Sequence, residues 1–211
     1  MTSTGERVVV VLPALLLLAG CGESTPPVSL APPAARVKAS DYDGVRDRWT
    51  RSSRIIKKLD TTLRVHATLF SPEVNAAYVA RRAQMFKLPP ADRDRLAREL
   101  ERQWTESFVF LISAATIDSS WNDFDRKRSV WRVSLATDRG DQVAASSIRG
   151  ETIDATLKEL FPFIERFHRA YTVRFPKLLP DGSPLVDSNT RELRLRFAGP
   201  LGQTDLVWRL R

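Results

Sequence analysis

The sequence predicts a mainly β fold with helical insertions, an antiparallel sandwich of immunoglobulin-like architecture; an α+β domain with a single antiparallel sheet is the competing arrangement. Three observations point there. Seven stretches carry either the two-residue apolar alternation of a half-buried strand or a short unbroken apolar run. Helical periodicity is confined to a few places and never alternates with strands as a parallel sheet would require. The final pair of strands can be set in register from its side chains alone.

Residues 22 to about 40 contain Pro26-Pro27 and Pro32-Pro33 among Ser, Thr, Ala and Val. Paired prolines favour extended polyproline, so this segment is expected to be a tether able to hold a domain up to ~50 Å from its point of attachment. The globular part is expected over 41–211. Residues 41–60 are heavily charged, with Val45, Trp49 and Ile56 at helical spacing, and predict a helix. Leu63, Val65, Ala67 and Leu69 then alternate with Arg64, His66 and Thr68 as a strand. Two helices are expected within 72–103. Ser71-Pro72 starts the first, which stops before Pro89-Pro90, and the second carries Leu96, Leu100 and Trp104 on one face.

Phe108 to Ala115 is almost continuously apolar and predicts a strand buried on both faces. Trp131, Val133 and Leu135 alternate. The turn Asp138-Arg139-Gly140-Asp141 returns the chain through Val143, Ala145 and Ile148 as a hairpin. Ile153, Leu157, Leu160 and Phe161 mark a helix over 151–161, ended by Pro162. Tyr171, Val173 and Phe175 form the next strand. In the last hairpin, pairing Phe197 with Thr204 sets Leu195 against Leu206 and Leu193 against Trp208. The same register places Arg196 beside Asp205 and Glu192 beside Arg209 on the other face. A one-residue slip would invert the burial of one strand against the other.

The N-terminus carries a different kind of information. Val8 to Leu18 is an apolar run of eleven residues, too short for the ~20 needed to span a bilayer, and it closes on Leu18-Ala19-Gly20-Cys21. That tetrad resembles the lipobox of bacterial lipoproteins. The resemblance implies cleavage between Gly20 and Cys21, removal of residues 1–20 as a signal peptide, and a diacylglyceryl group on the Cys21 sulfur. The amine freed by cleavage is usually acylated as well. Two or three chains give a stable anchor where one would bind only marginally. Membership would place the protein in the cell envelope, lipid-anchored, and Gly22 after the cysteine leans toward the outer membrane over the inner.

Composition limits the function classes. Cys21 is the single cysteine, so no internal disulfide can form. The chain carries a net charge of +8. No Gly-x-Ser-x-Gly elbow, His-Glu-x-x-His pair or phosphate-cradling glycine loop is present. No catalytic residue, metal or cofactor is therefore expected. His66 and His168, the two histidines, read as surface or rim residues. Asp118, Asp123 and Asp125 crowd a loop whose spacing fits no EF-hand. Arg139-Gly140-Asp141 is explained by its turn.

Candidate partner contacts are Trp121 and Phe124 on that loop if exposed, or satellite core if buried, and Arg194, Arg196 and Arg209 on the last hairpin, where the acidic neighbours set by the register favour a solvated sheet face. No base-stacking aromatics interleave with these arginines, which argues against nucleic acid. The sequence thus points to a non-catalytic binding or structural domain presented to an envelope protein or glycan. Two alternatives stand beside it. One is an envelope hydrolase or glycan-processing enzyme gathering His168 with Glu165. The other is a small-ligand or lipid carrier with a cavity between the sheet and the inserted helices.

Overall fold

A computed structural model describes residues 25–211. The signal run, Gly20 and Cys21 lie outside the described residues. Two antiparallel sheets pack face to face. One contains β1 (Thr50–Lys57), β2 (Asp60–Leu69), β3 (Ser107–Thr116), β7 (Arg169–Pro176) and β6 (Ser147–Glu151), in the order β1-β2-β3-β7-β6. The other has the order β5-β4-β8-β9, from β4 (Arg132–Thr137), β5 (Gln142–Ala144), β8 (Glu192–Gly199) and β9 (Gly202–Arg209). Four helices complete the domain: α1 (Tyr42–Trp49), α2 (Pro72–Phe86), α3 (Pro90–Glu106) and α4 (Ala155–Leu160).

The core lies between the sheets, as the alternating patterns require. Leu63, Val65, Ala67 and Leu69 on β2, Phe110 and Ile112 on β3, and Val173 and Phe175 on β7 meet Leu135, Leu193, Leu195, Phe197, Leu206 and Trp208 of the other sheet. Phe110 sits 5.3 Å from Trp208 across the interface. β3 is buried on both faces from Ser107 through Ala114, because helices and loops cover the outer side of its sheet. β1 leans on β9 and closes one edge. The Arg51 Nε donates to the Val207 carbonyl at 2.9 Å while its guanidinium lies over the Trp208 ring. The last hairpin adopts the register set by its two faces, including Phe197 with Thr204 and Glu192 with Arg209.

Three expectations are corrected. The helix expected through residue 60 stops at Trp49, and 50–57 is the edge strand β1. Its turn to β2 places Lys58 and Leu59 at φ 50° and 73°, the left-handed geometry of a type I′ hairpin. That geometry normally calls for Asn-Gly, so the sequence carries no turn signal. The single return strand through Val143, Ala145 and Ile148 is two strands in different sheets. β5 pairs with β4, and the chain then crosses over so that β6 pairs with β7. The helix expected over 151–161 forms only as Ala155–Leu160, with the Asp154 carboxylate accepting from Leu157 N–H at 2.7 Å as the cap.

The segment expected as a free tether behaves differently over its described part. Val28 is buried, its N–H donates to the Arg209 carbonyl at 2.8 Å, and its carbonyl accepts from Arg211 N–H at 3.1 Å. Val37 packs against the core. Residues 28–40 are therefore laid along the domain, and the free reach before it shortens to the residues preceding Val28.

Candidate functional site

The sequence-nominated contact residues divide by environment. Phe124 is withdrawn from the surface, 4 % exposed and packed edge-on to Tyr171 and Phe197 between the sheets. Burial of an aromatic ring outweighs any contact role it could have at a loop tip. Trp121 is half-buried, and its carbonyl accepts from Trp131 Nε1 at 2.8 Å. Arg196 is bidentate to Asp205 at 2.8 and 2.9 Å, and Arg194 binds Glu192. Both are thereby neutralised on the uncovered face of the four-stranded sheet. Arg209 remains exposed. Asp118 caps Ser120, Asp123 accepts from the Ser129 hydroxyl, and Arg139 pairs with Asp141 and Asp187. These acids are spent on loop structure. Among the described residues no three His, Cys, Asp or Glu side chains gather as a metal site.

The two histidines, about a hundred residues apart in sequence, meet on the outer face of the five-stranded sheet. β2–β3 pairing sets His66 opposite Ser113, and the chain entering β7 brings His168 beside them. Their rings are 5.9 Å apart, and His66 stacks on Phe163 at 5.3 Å. The Ser113 Oγ is 2.7 Å from His168 Nδ1, and Glu165 Oε2 is 4.0 Å from Nε2. Serine, histidine and glutamate in line evoke a nucleophile and its base. Ser113 is 0 % exposed and His168 is 7 % exposed, so no substrate carbonyl can reach the hydroxyl. His168 is also not the rim residue its charged neighbours suggested.

Burial holds both imidazoles below their ordinary value, and for His66 the neighbouring His168 adds to it. Glu165 opposes the shift, and Arg64, 3.8 Å from Glu165, reinforces it. Folding therefore favours the neutral rings. Their contribution to stability is complete above the unfolded value near 6.5 and is lost as pH falls below it toward the folded values. The urea midpoint is expected to decline as pH falls from about 6.5 toward the onset of carboxylate titration. A His66→Gln/His168→Gln chain should be flat over that window. A decline that persists unchanged in the double variant would remove the histidines as its cause.

The concave site on the same sheet lies further along, between α3 and α4. Its volume is 260 Å³. β3 and β7 supply the floor through Val109, Leu111 and Thr172, and the wall is Phe70, Tyr78, Leu100, Leu157 and Phe161. Apart from Thr172 and the Tyr78 hydroxyl these side chains are apolar, because the helices must bury a stripe against the sheet. They leave a gap because β6, the edge strand, is not covered by α3. The mouth is polar: Gln103, Ser147, Arg149, Glu151 and Arg174. Pairing of β6 with β7 puts Arg149 opposite Thr172 and Ser147 opposite Arg174, so the two arginines are diagonal neighbours on one sheet face, and both line this lip. Arg174 donates to Gln103 Oε1 at 3.1 Å. Neither arginine has a carboxylate within ion-pair distance among the described residues. Nothing in the sequence marked this pair, since their proximity depends on the crossover into β6.

No family model matches the chain, and no curated protein does. A solved structure, a protein of unknown function from Burkholderia pseudomallei K96243, is similar at 12% identity over 81% of this chain and 89% of that one, with a TM-score of 0.38. That likeness is too slight to carry a fold or an activity across.

Proposed function

We propose that the protein is a membrane-anchored lipoprotein of the bacterial cell envelope whose domain binds rather than catalyses, and that its ligand seat is the cleft between α3 and α4. The lipobox Leu18-Ala19-Gly20-Cys21 supports the anchor. The cleft supports the binding role through one observation: an apolar floor beneath two arginines, Arg149 and Arg174, that lack a carboxylate partner. That combination suits a small amphiphile whose anionic group sits at the mouth and whose apolar part lies on Val109 and Leu111. At 260 Å³ the cleft is just below the usual size of small-molecule pockets, which suits a small ligand or the end of an acyl chain. Immunoglobulin-like presentation of this seat, two antiparallel layers with working surfaces on helices and loops, belongs to the same proposal.

The hydrolase reading is disfavoured by the burial of Ser113 and His168. Orientation toward the outer membrane remains part of the proposal, carried by Gly22 alone.

One preparation tests both halves. Intact mass of detergent-extracted protein should show a chain beginning at Cys21 with a diacylglyceryl adduct. Titration with a dansyl-labelled medium-chain carboxylate should saturate, and an Arg149→Glu/Arg174→Glu chain should bind at least about tenfold more weakly, since a charge-assisted hydrogen bond contributes ~1.5–3 kcal/mol. A free thiol at Cys21 would end the anchor reading. Equal affinity in the two chains would end the assignment of the cleft.

A further inference from the structure

A second concavity lies at the end of the domain where the N-terminal segment is pinned. It spans 840 Å³ between Ser29–Ala31, the end of α3, the start of β3, and the loop that follows β7. Its base is Trp104 and Phe108, set edge to face at 5.5 Å. Over them lies the Lys177 ammonium, 3.9 Å from the Trp104 ring centre and 5.0 Å from that of Phe108. The Lys177 amine is half-buried, and burial pulls it down to about 8. It remains largely charged at neutral pH.

The charge balance of this cleft is one-sided. Of its two acidic side chains, Glu106 is held by Arg102 at 2.6 Å and Asp187 by Arg139 at 2.8 Å. Lys177 and Arg191 line the cleft with no carboxylate in ion-pair range among the described residues. On its lip Leu178 is 55 % exposed, a large apolar side chain held out in water beside two cations and a tryptophan. Cation, indole and projecting leucine together match the layered chemistry of a membrane interface, with anionic head groups outside and acyl chains beneath.

Position favours the same partner. The cleft begins at Ser29, beside the residue Val28 that the C-terminal strand grips. Seven peptide units separate Val28 from Cys21 (28 − 21), and extended chain covers at most ~3.4 Å per residue, or ~24 Å in all. Whichever way residues 22–27 run, an acylated Cys21 keeps this edge of the domain within that distance of its bilayer.

We propose that the cleft seats head groups of anionic phospholipids in the membrane bearing the anchor, with Leu178 entering the interface, so that the domain lies on the bilayer instead of swinging from it. The choice of membrane rests on the anchor reading; the binding chemistry does not. The test therefore uses the chain with Cys21→Ser, which has no lipid of its own, in sedimentation with two vesicle types. Vesicles of equal phosphatidylcholine and phosphatidylglycerol should bring the protein down, and phosphatidylcholine alone should not. A Lys177→Glu/Arg191→Glu chain should bind the mixed vesicles about thirtyfold more weakly, at ~1 kcal/mol for each lost cation.

Arg54→Glu/Arg128→Glu alters the net charge equally at exposed sites away from the cleft and should change binding little. Leu178→Asp, at a side chain 55 % exposed, should also weaken binding. Equal losses in the two charge variants would assign any attraction to overall charge and overturn the cleft. Absence of binding to mixed vesicles would overturn it as well. Either result would leave a Cys21 adduct seen by mass untouched, so the two readings fail separately.

Discussion

Replacing Phe110 with alanine is expected to lower the unfolding free energy by about 3–5 kcal/mol, the range for a large aromatic removed from a core that cannot collapse. Phe110 is 0 % exposed at the middle of β3. Its ring meets Phe175 edge-on at 5.7 Å within its own sheet and Trp208 at 5.3 Å on the facing sheet. β3 is hydrogen-bonded on both sides, to β2 and to β7, so the backbone cannot sink into the vacancy. For a chain of this length each kcal/mol moves the thermal midpoint by roughly 2–4 °C, so a drop on the order of 10 °C is expected. Urea denaturation gives the free energy directly. Phe167→Ala, at a side chain 83 % exposed, should stay within about 0.5 kcal/mol of the parent. A Phe110→Ala loss no larger than that would mean that the two sheets do not pack through this ring.

The parts of the fold legible in the sequence are those where one local pattern suffices. The hairpin of β8 and β9 is the clearest case. Leu193, Leu195 and Phe197 against Trp208, Leu206 and Thr204 admit one register, and the structure has it. β3 is legible as a doubly buried strand because the almost unbroken apolar run Phe108 to Ala115 needs no periodicity to be recognised, and Ser107 through Ala114 are buried. β1 was not legible. Arg51, Ser53 and Arg54 look like a solvated helix face, and β1 is a strand because it caps the sheet edge and because Arg51 can cover Trp208. Neither reason exists within the segment itself. The split of β5 from β6 was hidden in the same way, since Ala145 and Ser146 carry no mark that the chain is changing sheets.

The sites were less legible than the fold, and for a physical reason. A catalytic motif is local because its chemistry demands fixed spacing, whereas a binding cleft is assembled from elements that meet late. Arg149 and Arg174 are brought together by the β6–β7 pairing, and Trp104 and Lys177 by the packing of α3 beside the end of β7. The sequence showed Trp104 as the third apolar residue of a helix stripe and gave Lys177 no role at all. Conversely, Phe124, Arg194 and Arg196 stood out as types that often make contacts, but the structure uses the first as core and the other two as ion pairs. Residue type nominates candidates; surplus charge and unfilled space decide among them.

Gly199→Ala is expected to destabilise the domain by about 1–3 kcal/mol or more, as overpacking against an immovable neighbour does. A Cβ on Gly199 would stand 2.2 Å from the Val130 carbonyl oxygen, 3.3 Å from its carbonyl carbon and 3.5 Å from the Trp131 ring. The obstruction is backbone, so no rotamer change relieves it. The neighbouring strands leave little slack. Ala198 pairs with Arg132 on one side, and Gly199 with Gly202 across the turn on the other. Gly140→Ala makes the informative contrast. Its surroundings are open, and its penalty comes from φ +92° alone, on the order of 1 kcal/mol. The two variants should therefore differ in more than size. Gly140→Ala should lower the urea midpoint while amide exchange across β4 and β8 keeps its parental pattern. Gly199→Ala should speed exchange at Arg132 and Ala198, where the strands must part to admit the methyl group. Parental exchange rates at those two amides would show that the Val130 backbone yields freely, and the close approach of β8 to the start of β4 would then impose no constraint on the sequence.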